Sequence, residues 1–89
     1  MINAVVMNET DSVATVTQNI SAGQNVTYAL KDKTFTIKSN VDISIYHKIA
    51  IKNIKKGEEV LKYGERIGYA TDDIKIGDHV HIHNLSNTK

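Results

Sequence analysis

The sequence predicts a mostly β domain of about six to eight short strands joined by tight turns. Three observations predict it. Period-two alternation recurs along the chain, whereas helical periodicity is hard to find. Proline is absent and β-branched residues are spread throughout the 89 residues. One turn-like motif occurs three times.

Taken in order, Val13, Thr15 and Thr17 alternate with Ala14, Val16 and Gln18, as a strand requires. Thr34, Thr36 and Lys38 alternate with Phe35 and Ile37. Val41, Ile43, Ile45, His47, Ile49 and Ile51 fall in one phase, a run that reads as two strands with a bend near Tyr46. The recurring motif is [Asn/Asp]-Ile-x-x-Gly-x-x-Val, in Asn19 to Val26, Asn53 to Val60 and Asp73 to Val80. Its Asx side chain can bond nearby backbone and its glycine can take a positive φ. The glycines Gly23, Gly57 and Gly77 are unequally spaced, by 34 and 20 residues, so this is a turn device and not a solenoid repeat. Lys62-Tyr63-Gly64-Glu65-Arg66-Ile67-Gly68-Tyr69-Ala70 reads as a loop or bulged strand, with a phosphate-loop pattern absent. A sharper reading of the same segment places Lys62, Tyr63 or Arg66 beside an anionic ligand. Asp72-Asp73 reads as a turn, because adjacent strand residues point apart and make a poor acid pair. Residues 1–85 are read as one domain, and 86–89 (Ser-Asn-Thr-Lys) as a polar tail or the cut end of a linker.

A chain this short has a modest core, so oligomerisation or docking to a larger partner is a natural source of stability. With no cysteine, disulfides and thiolate-bound metals are excluded. Eleven basic against ten acidic residues give a net charge of +1, which argues against a nucleic-acid surface. No stretch is long enough to span a membrane as a helix, and Ala4-Val5-Val6-Met7 is too short for a signal-peptide core. The expected location is cytoplasmic.

Three of four histidines cluster in His79-Val80-His81-Ile82-His83. On a strand, His79, His81 and His83 would share one face while Val80 and Ile82 anchor the other. Imidazoles at i and i+2 lie about 6.8 Å apart at Cα and can converge on one ion. The same row also fits an anion site or an ordinary polar face. His47 fits either a half-buried, hydrogen-bonded histidine or a member of the same cleft. Near neutral pH any of these imidazoles can act as acid, base or ligand.

Residues 42–85 resemble the SAF-type N-terminal domain of the altronate/galactarate dehydratase family. The resemblance lies in His47-Lys48-Ile49-Ala50-Ile51, Asn53-Ile54-Lys55-Lys56-Gly57-Glu58, Lys62-Tyr63-Gly64, Ile67-Gly68, Ala70-Thr71, Asp73-Ile74, Gly77 and Val80-His81-Ile82-His83-Asn84-Leu85. Asp11-Ser12-Val13-Ala14 and Ala22-Gly23 match more loosely.

The resemblance implies a compact β-clip (SAF-like) fold. It also implies a much larger catalytic region, fused behind the domain or present as a separate subunit. Such enzymes dehydrate sugar acids such as altronate or galactarate with a divalent metal, often iron. A close branch is similar to the small subunit of sulfolactate sulfo-lyase. A docking or carbohydrate-binding module without a catalytic part is the other reading, and a homo-oligomer is compatible with all three. By resemblance His81 and His83 are the expected metal ligands. His47, Lys48, Lys62 and Tyr63 are the expected substrate-binding residues. His79 falls where the family varies and is expected on the surface. The family usually has Pro and Gly just before the His-Lys pair, where this chain has Ser44 and Tyr46.

Overall fold

A computed structural model describes residues 1–88. Its regular structure is entirely β: β1 (Ala4–Val5), β2 (Val13–Val16), β3 (Asn25–Leu30), β4 (Lys33–Lys38), β5 (Lys48–Ala50), β6 (Glu59–Lys62), β7 (Glu65–Ala70), β8 (His79–Val80) and β9 (Leu85–Ser86). The additional strands beyond the sequence expectation are two-residue pairings whose apolar pattern is too short to read. Ser86, expected in the tail, pairs with Tyr69 in β9.

β1, β2, β5 and β8 form a four-stranded sheet in the order β1-β2-β5-β8. β3-β4 is a separate hairpin, and β6-β7-β9 a three-stranded sheet. Every pairing is antiparallel. The four-stranded sheet is covered on both faces. Ala14, Val16 and Ile49 point into one core, closed by Val26 and Tyr28 of the first hairpin. Val13, Ala50 and Val80 point into a second core, closed by Val60 and Ala70 of the other sheet. This explains why β2 is apolar at both phases: alternate side chains feed different cores.

Of the two readings of 62–70, the bulged strand is the one that forms: the segment is a hairpin turn leading into β7, with Ile67 as the extra residue. Lys62 pairs with Glu65, leaving Tyr63 (φ 56°) and Gly64 (φ 77°) as a two-residue turn. Two positive φ values define the primed turn that matches strand twist. The register shifts between Val60 and Leu61, whose partners are Gly68 and Arg66, so β7 carries the extra residue. Asp11 is almost fully buried and accepts hydrogen bonds from the backbone of Gly64 (2.8 Å) and Asn8 (3.2 Å), tying the β1–β2 connection to that turn.

The recurring turn occurs four times, not three. The fourth copy is Asp42-Ile43-Ser44-Ile45-Tyr46-His47-Lys48-Ile49, in which Tyr46 takes the glycine's place at φ 68°. Gly23, Gly57 and Gly77 sit at 86°, 88° and 95°. Each turn closes with the same backbone bond: Gln24 N–H to Ser21 O, His47 to Ser44, Glu58 to Lys55 and Asp78 to Lys75. The turns pair as two mutual clasps. Ile20 and Ile43 exchange backbone bonds of 2.8 Å, as do Ile54 and Ile74 at 2.8 and 2.7 Å. The leading Asx side chains reach across each clasp instead of bonding their own backbone. Asn19 accepts from Ile45 N–H and Asp42 from Ala22 N–H. Asn53 accepts from Ile76 N–H and Asp73 from Lys56 N–H. The fourth turn delivers His47 to the start of β5, and the Gly77 turn delivers His79 to β8.

Candidate histidine site

β5 and β8 pair with Ile49 opposite His79 and Lys48 opposite Val80. This register brings together residues 32 apart in sequence: His47 Nδ1 lies 3.0 Å from His79 Nε2, one ring nitrogen donating to the other. The His81 ring stacks on His47 with centroids 4.3 Å apart and planes 17° apart. The His47–His79 and His79–His81 rings are near-parallel at 5.2 and 5.4 Å. One nitrogen from each of His47, His79 and His81 falls within a set no more than 4.8 Å across, and all three residues are half-buried.

The expected row of three imidazoles on a strand does not form. β8 ends at Val80, and 81–84 is a turn. Asn84 makes that turn. Its buried carboxamide accepts from His81 N–H (3.0 Å) and donates to His79 O (2.8 Å), while Asn84 N–H reaches His81 O (3.1 Å). Local side-chain bonds of this kind compete with the strand ladder. Ile82, expected as a core anchor, is therefore 83 % exposed, whereas Val80 is fully buried. His83 is exposed and only tilts against His79, at 5.2 Å and 36°. His79, expected on the surface, is central because cross-strand pairing with Ile49 carries it inward. Asn84 was quoted within a motif but not as a site residue; its signal was its position directly after the His-x-His run.

The remaining expected residues lie around the sheet ends. Lys48 is half-buried, and burial followed by the charge of Lys62 lowers its ammonium pKa. Lys62 sits on the β6–β7 hairpin with its ammonium 4.9 Å from the Tyr63 ring. Tyr63 is 48 % exposed and occupies the hairpin turn. His79 has its pKa pushed down to about 4, first by burial, then by His83, His47, His81 and Lys48. His81 is lowered too, by desolvation and then by His47, Lys48 and His83. The lowered pKa values of His79 and His81 favour the unprotonated ring that metal coordination requires. The donor set therefore fits a borderline divalent metal. Three surface clefts, of about 330–370 Å³, are lined by other residues, none a histidine. Chemistry and not concavity singles out the histidine face.

The family model "Altronate/galactarate dehydratase SAF domain" matches residues 2–88. The chain belongs to this family. It is 37 % identical over 87 residues to the (2R)-sulfolactate sulfo-lyase subunit alpha of Chromohalobacter salexigens, covering 94 % of this chain and 93 % of that protein. It is 36 % identical over 78 residues to the altronate dehydratase of Bacillus subtilis and 40 % identical over 74 residues to that of Escherichia coli. These matches cover 88 % and 83 % of this chain, but only 15 % and 14 % of the two dehydratases. The all-β architecture agrees with the fold the family resemblance implied. Among the described residues no helix is long and apolar enough to cross a membrane.

Proposed function

We propose that this chain is the small subunit, or the N-terminal domain, of a sugar-acid dehydratase of the altronate/galactarate type. A large catalytic partner completes its site. The observation that carries this reading is the histidine face itself: three donors converge at the end of the four-stranded sheet and are open on one side. The family membership and the small share of each dehydratase that the chain matches support it.

In this reading imidazoles of the histidine face help hold a divalent metal, which polarises the substrate's carboxylate or hydroxyl when bound. Lys48 adds positive charge beside it, with Lys62 acting on Lys48 in turn, favouring a carboxylate substrate. Asn84 holds the turn that positions His81. Dehydration removes the proton α to the carboxylate and expels hydroxide from the β carbon, so a base and a leaving-group acid must both be present. The partner supplies whichever of these the imidazoles do not.

A second reading has a specific observation in its favour. The chain matches nearly all of a sulfolactate sulfo-lyase subunit alpha, which favours a role beside a large subunit in expelling sulfite from a 2-hydroxy acid. One experiment separates these readings. The chain is mixed with a large catalytic subunit of the family, and elimination from altronate, galactarate and sulfolactate is followed with and without it. Activity that requires both chains supports a shared site, and the preferred acid selects between readings. A large subunit fully active by itself would leave the chain as a docking module.

A further inference from the structure

The geometry points to a three-imidazole site made by His47, His79 and His81 of this chain alone, for a borderline divalent transition metal such as zinc or iron(II), with His83 outside it. This deepens the reading above by fixing the ligand set, and it differs from the His81/His83 pair that the sequence suggested.

The donor spacing carries the argument. A tetrahedral ion with bonds of about 2.0–2.1 Å to nitrogen needs its ligand atoms about 3.3–3.4 Å apart. His47 Nδ1 and His79 Nε2 are 3.0 Å apart, joined by a hydrogen bond that an ion would replace. The His81 nitrogen already lies within 4.8 Å of both. The rings now lie near-parallel, at 11–20° to one another, so binding requires them to turn about their side-chain torsions until the in-plane lone pairs meet at the ion.

The backbone beneath the rings is held. His47 is tied at both ends, by its N–H to Ser44 O (3.0 Å) and by Val16 N–H to its own carbonyl (3.0 Å). His79 is fixed in the β5–β8 pair, and Asn84 bonds both His79 O and His81 N–H. His83 lacks equivalent placement: it follows the exposed Ile82 within the turn and is itself exposed. Three nitrogen ligands leave a fourth position for a water, a substrate oxygen or a partner's side chain, the pattern of catalytic zinc and iron sites. A set without oxygen donors discriminates against magnesium and calcium.

The test uses the full chain without an affinity tag. Zinc is titrated by calorimetry, and cobalt(II) by its visible absorption bands. The expected result is saturable 1:1 binding with a tetrahedral cobalt spectrum and no response to magnesium. His47→Ala, His79→Ala and His81→Ala should each weaken binding roughly tenfold or more, whereas His83→Ala should change it by less than about threefold. His79→Gln serves as a second variant of similar size, with melting curves checking that each protein folds. Imidazole ¹⁵N signals of the unmutated chain give an independent readout: three rings should shift with zinc and His83 should not. Absence of saturable binding overturns the site. So does loss in His83→Ala equal to that in His79→Ala, or a zinc response confined to His81 and His83. Because no turnover is measured, the ligand set can fail while the two-chain enzyme stands, and the reverse.

Discussion

Replacing Tyr46 with glycine should make the chain more stable than replacing it with alanine. Tyr46 holds φ 68° at a position where the three equivalent turns use glycine at 86–95°. A residue with a Cβ in this left-handed region costs about 1–2 kcal/mol, and the strain is tolerated only when the surroundings impose it. Glycine relieves that strain but loses about 0.5–1 kcal/mol more backbone entropy on folding. The difference leaves about 0.5–1 kcal/mol in favour of Tyr46→Gly over Tyr46→Ala. For a domain of this size that is a melting temperature higher by about 2–8 °C. The alanine comparator is essential. The tyrosine ring is 70 % exposed, but what it does bury is lost in both variants and cancels. Gly57→Ala supplies the mirror control, since its added Cβ would meet nothing within 4 Å and only the backbone term of about 1 kcal/mol remains. Differential scanning calorimetry on the four proteins makes the comparison. A Tyr46→Ala protein at least as stable as Tyr46→Gly, alongside a destabilised Gly57→Ala, would refute a left-handed Tyr46.

Gly77→Ala should lose much more than Gly57→Ala, about 2–4 kcal/mol, because its Cβ would collide with the Lys38 carbonyl and press on the Asn40 carboxamide at 3.0 Å; urea titrations of both variants measure the gap. Asn84→Ala should cost about 1–2 kcal/mol and shift the backbone amide resonance of His81, since it removes the bonds to His81 N–H and His79 O. An unchanged His81 amide would show that the turn stands without it. Stability should fall as pH drops from 6.5 towards 4. His79 has a folded pKa near 4 against an ordinary 6.5, so the unfolded chain binds more protons across that window and gains population there. The His79 contribution is complete above pH 6.5, and His79→Gln should flatten the slope of melting temperature against pH relative to the unmutated chain; an identical slope in both would refute it.

What was legible in the sequence had local markers, and what was not depended on distant pairing. The β class was readable because alternation is set by neighbours two residues apart. Three turns were readable because glycine marks a positive φ. The fourth was hidden because Tyr46 removed the marker while Asp42, Ile43 and the closing backbone bond remained. The histidine row was misread for a related reason: alternation extends only as far as the strand, and Asn84 ends this one at Val80. The meeting of His47 with His79 depends on the Ile49–His79 register across 32 residues, which no local pattern encodes.

The fourth turn also departs from its relatives one residue later. In the glycine turns the residue after glycine supplies a capping oxygen: Gln24 to Ser21 N–H, Glu58 to Lys55 N–H and Asp78 to Lys75 N–H, at 2.6–2.9 Å. In the fourth turn that place belongs to His47, whose ring bonds His79 instead. Two stabilising choices, glycine and a capping acceptor, are thus both missing from the turn that delivers His47, whereas the Gly77 turn that delivers His79 keeps both. A turn whose local stability is given up where a side chain is needed elsewhere is what strain at a functional site predicts. The same comparison defines a control for the site: His47→Gln restores a capping side chain of the kind seen at Gln24. It should hold or raise the melting temperature while removing an imidazole from the cluster, so that lost metal binding in this variant cannot be attributed to unfolding.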